Sequence, residues 1–166
     1  MEDKELKKLV IFYSLEGNTK FIAEGIKDMT GAESLELKVE KDISPKGFMR
    51  YVWGGSQVIM GKKPELVSID KNPEDYDVLF IGTPIWAGGY VPAINTFLHR
   101  VQIKGKKIGL FCCHAGGGSG KAFSMFKEKL KENTIIGEIE FKDPLKNDKT
   151  VAEKQLKEWI DSIMKV

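Results

Sequence analysis

The sequence predicts an α/β fold: a doubly wound, five-stranded parallel sheet with helices on both faces, forming one domain over residues 1–166. Three observations carry this reading. Leu9–Tyr13, Asp77–Gly82 and Ile108–Cys113 are nearly continuous apolar runs, as strands buried on both faces must be. Segments with helical spacing alternate with them. Each run stops at an irregular loop of glycines or small polar residues: Ser14–Thr19, Thr83–Tyr90 and His114–Gly120.

Taken in order, Lys7–Tyr13 reads as the first strand and Asn18–Met29 as the first helix, with Gly31 as its C-cap. Ala32–Glu40 alternates Leu35, Leu37 and Val39 with charged residues, which predicts a strand near a sheet edge. Pro45 can open a helix at its first turn. Phe48–Met60 then carries Tyr51, Trp53, Val58 and Ile59, with Gly54-Gly55 weakening the helix. This stretch is either a core-packed helix or a flap over a ligand, with Trp53 as the covering side chain. Lys62–Pro73 is a long connection pinned to the core by Leu66, Val67 and Ile69.

The third strand, Asp77–Gly82, leads into a loop, Thr83–Tyr90, and Pro92 starts a helix to Arg100 with Ile94, Phe97 and Leu98 inward. Gly105-Lys106-Lys107 is a turn before the fourth strand, Ile108–Cys113. Ser119 or a neighbour caps the next helix, in which Phe123, Phe126 and Leu130 share a face. Ile135–Phe141 alternates as the last strand. Val151–Met164 closes the chain as an amphipathic helix with Leu156, Trp159, Ile160 and Ile163 inward. Five strands thus alternate with five helices.

The bulk properties narrow the function. The 166 residues suit one domain with a sizeable core. The net charge of +2 implies no strong attraction to nucleic acid or membrane. No apolar run is long enough to span a bilayer. The charged start, MEDKELKK, lacks a signal-peptide core, so a cytoplasmic location is expected. Cys112 and Cys113 are adjacent, where a disulfide would be strained, so two reduced thiols at a strand end are expected. His99 and His114 lack ligand spacing, and no metal is expected.

In an open parallel sheet the ligand sits beyond the carboxyl ends of the strands, where the three loops meet. Ser14, Asn18 and Thr19 offer side-chain donors at a helix start, and Gly17 permits close backbone approach. Ser14–Thr19 contains no Lys or Arg, so it is not the phosphate loop of nucleotide hydrolases, which needs a lysine. A phosphate held there by neutral donors, with a flat ring held by the other two loops, is the chemical reading. A capped helix over an empty turn is the alternative.

Tyr13-Ser14-Leu15-Glu16-Gly17-Asn18-Thr19 resembles the phosphate-binding signature of the flavodoxin family, Ser/Thr-x-x-Gly-Asn-Thr after the first strand. Tyr76 to Trp86 resembles that family's third strand and its flavin-stacking loop. Phe111 to Gly120 matches the position of its third flavin-contacting loop. The resemblance covers essentially the whole chain. It implies a flavodoxin-like fold of the short-chain type, strand order 2-1-3-4-5, and bound FMN cycling between oxidised, semiquinone and hydroquinone states.

Carried over by residue, Ser14, Gly17, Asn18 and Thr19 would bind the FMN phosphate, with backbone N–H groups from Leu15 and Glu16. Thr83, Pro84 and Ile85 would line the flavin edge, and Trp86 would stack on the ring. The Ala87-Gly88-Gly89 turn would approach the N5 edge. A Gly88-Gly89 peptide able to turn its carbonyl toward N5 would favour the one-electron state. Ala115, Gly116, Gly117 and Gly118 would donate N–H groups to the pyrimidine end. His114 would either donate there or satisfy a loop carbonyl. Trp53 and Tyr90 are candidate covers for the ring.

No side chain is assigned a catalytic role. The resemblance implies an electron carrier serving a redox partner protein or a small-molecule acceptor, as a monomer or homodimer. The alternative is an FMN-dependent NAD(P)H:quinone-type oxidoreductase. Two departures from the family stand out: Glu16 puts a carboxylate beside the phosphate and must face solvent, and the net charge is positive where small flavodoxins are acidic. Phosphoacceptor receivers share a doubly wound fold, but the acidic cluster they need is missing from the ends of the first and third strands.

Overall fold

A computed structural model describes residues 4–41, 56 and 61–165. Its elements are β1 (Lys8–Phe12), α1 (Asn18–Thr30), β2 (Glu33–Glu36), β3 (Val78–Trp86), β4 (Gly89–Tyr90), α2 (Pro92–Arg100), β5 (Lys107–His114), α3 (Ala122–Lys129), β6 (Thr134–Lys142) and α4 (Lys149–Ile163). The helix or flap expected within Pro45–Met60, Trp53 included, lies outside the described residues.

The sheet runs β2-β1-β3-β5-β6, with all four neighbouring pairs parallel. Counting the five long strands alone, this is the expected order 2-1-3-4-5. The chain leaves β1 toward one edge for β2 and toward the other for β3. That reversal opens the crevice above their carboxyl ends.

Apolar side chains on successive residues feed two cores. Leu9, Ile11 and Tyr13 face one side with Phe97 of α2 and Phe126 of α3. Val10 and Phe12 face the other with Ile22 and Ile26 of α1 and Leu156 and Ile160 of α4. Helices α1 and α4 approach closely because Gly25 has no side chain: a Cβ there would meet Leu156 at 2.7 Å.

Two aromatic rings fit the sheet only because glycines face them. In the β3–β5 register Phe80 pairs with Gly109, and Gly82 with Phe111. A Cβ on Gly82 would come within 2.1 Å of the Phe111 ring, and one on Gly109 would meet Phe80 at 3.0 Å. Trp159 is only partly buried, packing edge-on against Phe80 at 6.2 Å, and its indole N–H has no hydrogen-bond partner among the described residues.

Several expected bounds shift for local reasons. The second strand is shorter than Ala32–Glu40. Beyond Glu36 the pairing is reduced to a bridge, Val39 to Leu66. In the following connection Leu66 is buried and Ile69 packs on the core, but the Val67 side chain is exposed and only its N–H holds the segment, donating to the Lys38 carbonyl at 2.8 Å. The last helix starts two residues early because Asp148 accepts the Thr150 N–H at 2.9 Å and caps it. Helix α3 lacks a side-chain cap, and Ser119 contributes only its carbonyl, to Ala122 N. The loop expected at Thr83–Tyr90 is largely strand: β3 continues to Trp86 and turns back as β4.

Substituting Gly82→Ala is expected to destabilise the protein by at least ~2 kcal/mol through overpacking against Phe111. It should lower the urea midpoint at unchanged slope. A change below about 0.5 kcal/mol would mean that the ring can move aside.

Candidate cofactor site

Helix α1 begins at Gly17, whose φ of 101° is left-handed and which has no side chain to cap the helix. Ser14 does part of that work from three residues back. Its Oγ accepts the Gly17 N–H and the Lys20 N–H, each at 3.2 Å. The Leu15, Asn18 and Thr19 amides have no hydrogen-bond partner among the described residues.

The side chains add to this surplus of donors. Among the described residues the Ser14 hydroxyl serves as an acceptor only, so its own proton is unspent there. Asn18 uses its Oδ1 to accept the Leu145 N–H at 3.0 Å, leaving its NH2 unpaired among the described residues. Thr19 Oγ1 is buried with no partner among the described residues. Ser14, Asn18 and Thr19 line one pocket of about 510 Å³ of free space including its open mouth. A ligand that fits must be rich in acceptors, as a phosphate is.

The opposite wall comes from β3 and β5. Pro84, Ile85 and Trp86 line it from the extended end of β3, and Cys113, His114 and Ala115 from the end of β5. Trp86 is half-buried and meets Tyr13 edge-on at 5.6 Å between ring centres, with planes 87° apart. Glu16 is the one exposed residue of Ser14–Thr19.

The structure brings ten of the expected residues to this pocket: Ser14, Leu15, Glu16, Asn18, Thr19, Pro84, Ile85, Trp86, His114 and Ala115. The other eight stand back from it. Thr83 is fully buried; its hydroxyl donates to the Pro84 carbonyl at 2.7 Å and accepts the Val91 N–H at 3.2 Å, which fixes the start of α2. Gly17 lies under Leu145. Ala87 and Gly88, with φ of 48° and 73°, form the two-residue turn between β3 and β4, and Gly89 pairs with Trp86. The Gly88 carbonyl accepts the Lys121 N–H at 2.6 Å, so it is engaged rather than turned toward the pocket.

The third loop is held in a similar way. His114 Nδ1 accepts the Gly116 N–H at 3.0 Å and the Gly118 N–H at 3.2 Å. Those bonds assign the proton to Nε2, which lies 3.7 Å from Glu140 Oε1. Glu140 Oε2 in turn accepts the Ser119 N–H at 3.0 Å. His114 does not satisfy a loop carbonyl as the second expectation had it, because its Nδ1 takes loop amides instead. Gly116 and Gly118 therefore spend on His114 the N–H groups expected for a ligand. Tyr90, a candidate cover, is buried in the core against Phe126 at 4.9 Å.

Three pocket residues escaped the sequence reading: Cys113, Asp143 and Lys146. The last two belong to the turn between β6 and α4. Its position past a strand's carboxyl end was the available signal. Burial pushes the Cys113 thiol up to about 12 against a smaller downward pull from the neighbouring Thr19 hydroxyl, although the two do not reach hydrogen-bond geometry. Burial also pushes up Cys112. Among the described residues no cluster of His, Cys, Asp or Glu could hold a metal ion, and no helix is long and apolar enough to cross a membrane.

An open parallel sheet with a cluster of free donors after its first strand and an aromatic at the end of its third defines a flavoprotein of the flavodoxin-like class. The flavodoxin family model matches residues 7–163, and the chain belongs to that family. It is 30% identical over 137 residues to the flavodoxin-like domain-containing protein BilS of Clostridioides difficile. That match takes in 80% of this chain and spans 63% of the relative's length. A Lactobacillus acidophilus flavoprotein solved in complex with FMN is 30% identical, with a TM-score of 0.68 over 87% of this chain and 97% of that one. A Bacteroides eggerthii flavoprotein shares the fold at 23% identity, with a TM-score of 0.78 over 96% and 98% of the two chains.

Both cysteines should be inert in the folded protein. With a thiol pKa of about 12, roughly one Cys113 in ten thousand is thiolate at pH 8. An Ellman assay at pH 8 should release almost no chromophore from native protein and the full two equivalents in denaturant. Rapid reaction of the native protein would contradict this burial.

Proposed function

We propose that the chain binds FMN at this pocket and works as an electron-transfer flavoprotein. The observation that carries the proposal is the set of unspent donors on Ser14, Asn18 and Thr19 in the pocket that Trp86 also lines. The 30%-identical relative solved with FMN supports it. When bound, FMN supplies the redox chemistry, accepting and releasing one or two electrons; the protein supplies binding, orientation and electrostatics.

Each wall has a task in this reading. Ser14, Asn18 and Thr19 hold the phosphate with the free amides at the start of α1, where the helix dipole favours an anion. Trp86 stacks on the ring, while Pro84 and Ile85 exclude water from its edge. The Ala115 amide serves the pyrimidine end, with the loop beyond it fixed by His114 and Glu140. No side chain acts as acid or base. Electrons pass to a redox partner protein or a small-molecule acceptor.

One observation favours the second reading, an FMN-dependent NAD(P)H:quinone-type oxidoreductase. The Gly88 carbonyl, which a one-electron carrier would turn toward N5, is held by Lys121 at 2.6 Å. Reductive titration of the FMN-loaded protein separates the two readings. Two resolved one-electron steps support the carrier. A single two-electron step, together with steady turnover of NADH or NADPH with a quinone, supports the reductase.

The apoprotein should quench FMN fluorescence on titration, and Trp86→Ala should weaken binding by about 2- to 12-fold, the worth of one aromatic stacking contact. Absence of quenching by the wild-type protein would sink the FMN reading.

A further inference from the structure

We propose that Lys146 supplies the positive charge that the first loop lacks, and that it makes the pocket select a phosphorylated flavin over an unphosphorylated one. This rests on the FMN reading above and adds a specificity determinant to it. Ser14–Thr19 contains no Lys or Arg, so the donors it offers an anion are neutral. Asp143 places a carboxylate on the pocket wall. A phosphate dianion there would meet that carboxylate as a like charge, which a cation at the rim offsets. Lys146 is the lysine on the pocket wall, and it makes no ion pair among the described residues.

The turn that carries Lys146 is fastened to the phosphate cradle at several points. The Asp143 N–H donates to the His114 carbonyl at 2.9 Å. Asp143 takes a left-handed φ of 36°, a conformation uncommon outside glycine that suits a tight reversal. The turn closes when the Asp143 carbonyl accepts the Lys146 and Asn147 N–H groups at 2.9 and 3.1 Å. Next to Lys146, the Leu145 N–H donates to Asn18 Oδ1 at 3.0 Å, and the Leu145 side chain lies over Gly17. The backbone of residue 146 is thus held at the rim of the cradle, while its side chain stays exposed. A flexible ammonium there can meet the phosphate as a point charge.

The test compares FMN with riboflavin, by fluorescence quenching, in the wild-type protein, Lys146→Met and Lys146→Arg, with circular dichroism and a thermal midpoint on each to establish folding. An exposed charge facing a dianion should be worth about three- to tenfold in affinity. Lys146→Met should therefore raise the FMN Kd by about that factor and leave riboflavin within twofold, and Lys146→Arg should stay near wild type. The proposal is overturned if Lys146→Met leaves the FMN Kd unchanged, if FMN and riboflavin weaken together, or if the wild-type protein binds both equally. Wild-type protein that quenches neither flavin overturns the cofactor reading itself, a failure visible before any variant is made.

Discussion

Helix α1 starts at a residue without a side chain, and the amides of its first two residues have no partner among the described residues. Ser14 takes two of the local N–H groups and leaves those of Asn18 and Thr19. A buried donor left unmade costs about 1–3 kcal/mol, so such a cluster needs water or an acceptor-rich ligand to cover it. The surrounding structure keeps that cluster in place. Strand β1 lies inside the sheet between β2 and β3, and Gly25 lets α4 close against α1. The turn before α4 then hangs from Asn18, across 127 residues of sequence. The first and last loops of the sheet become one rim.

The second and third loops have the opposite economy: several of their polar groups are already taken up by neighbouring residues. His114 and Glu140 together take three amides of the glycine-rich stretch, and Lys121 takes the carbonyl of Gly88. The pocket therefore has an unsatisfied side, where a charged group fits, and a satisfied, largely apolar side, where a ring fits. That asymmetry orients a ligand with an anionic tail and a flat body without a catalytic side chain.

Much of this was legible in the sequence because it depends on local pattern. Continuous apolar runs gave the buried strands, and the loops that end them marked the crevice. The resemblance around Ser14–Thr19 added the strand order. What escaped depends on distant contacts. Asp143 and Lys146 reach the pocket only because α1 and α4 pack together, and they follow an alternating edge strand that looks unremarkable. The β3–β4 hairpin was hidden by Pro84, which reads as a break, and by Ala87, which lacks the glycine expected at a left-handed position. The role of His114 could not be read from its neighbours, since its second partner, Glu140, lies on the adjacent strand.

Gly120 carries a further consequence. A Cβ there would come within 2.4 Å of the Gly88 carbonyl, so the hairpin and the glycine-rich loop touch backbone to backbone. Neither can be lengthened or exchanged for a relative's version by itself, because the graft would lose its facing surface. Gly117 has open space around it and is the position where an inserted residue or a label would be accommodated. For protein engineering, residues 86–90 and 118–121 are a single transplantable cassette, and the tip between Gly116 and Gly118 is its one adjustable joint.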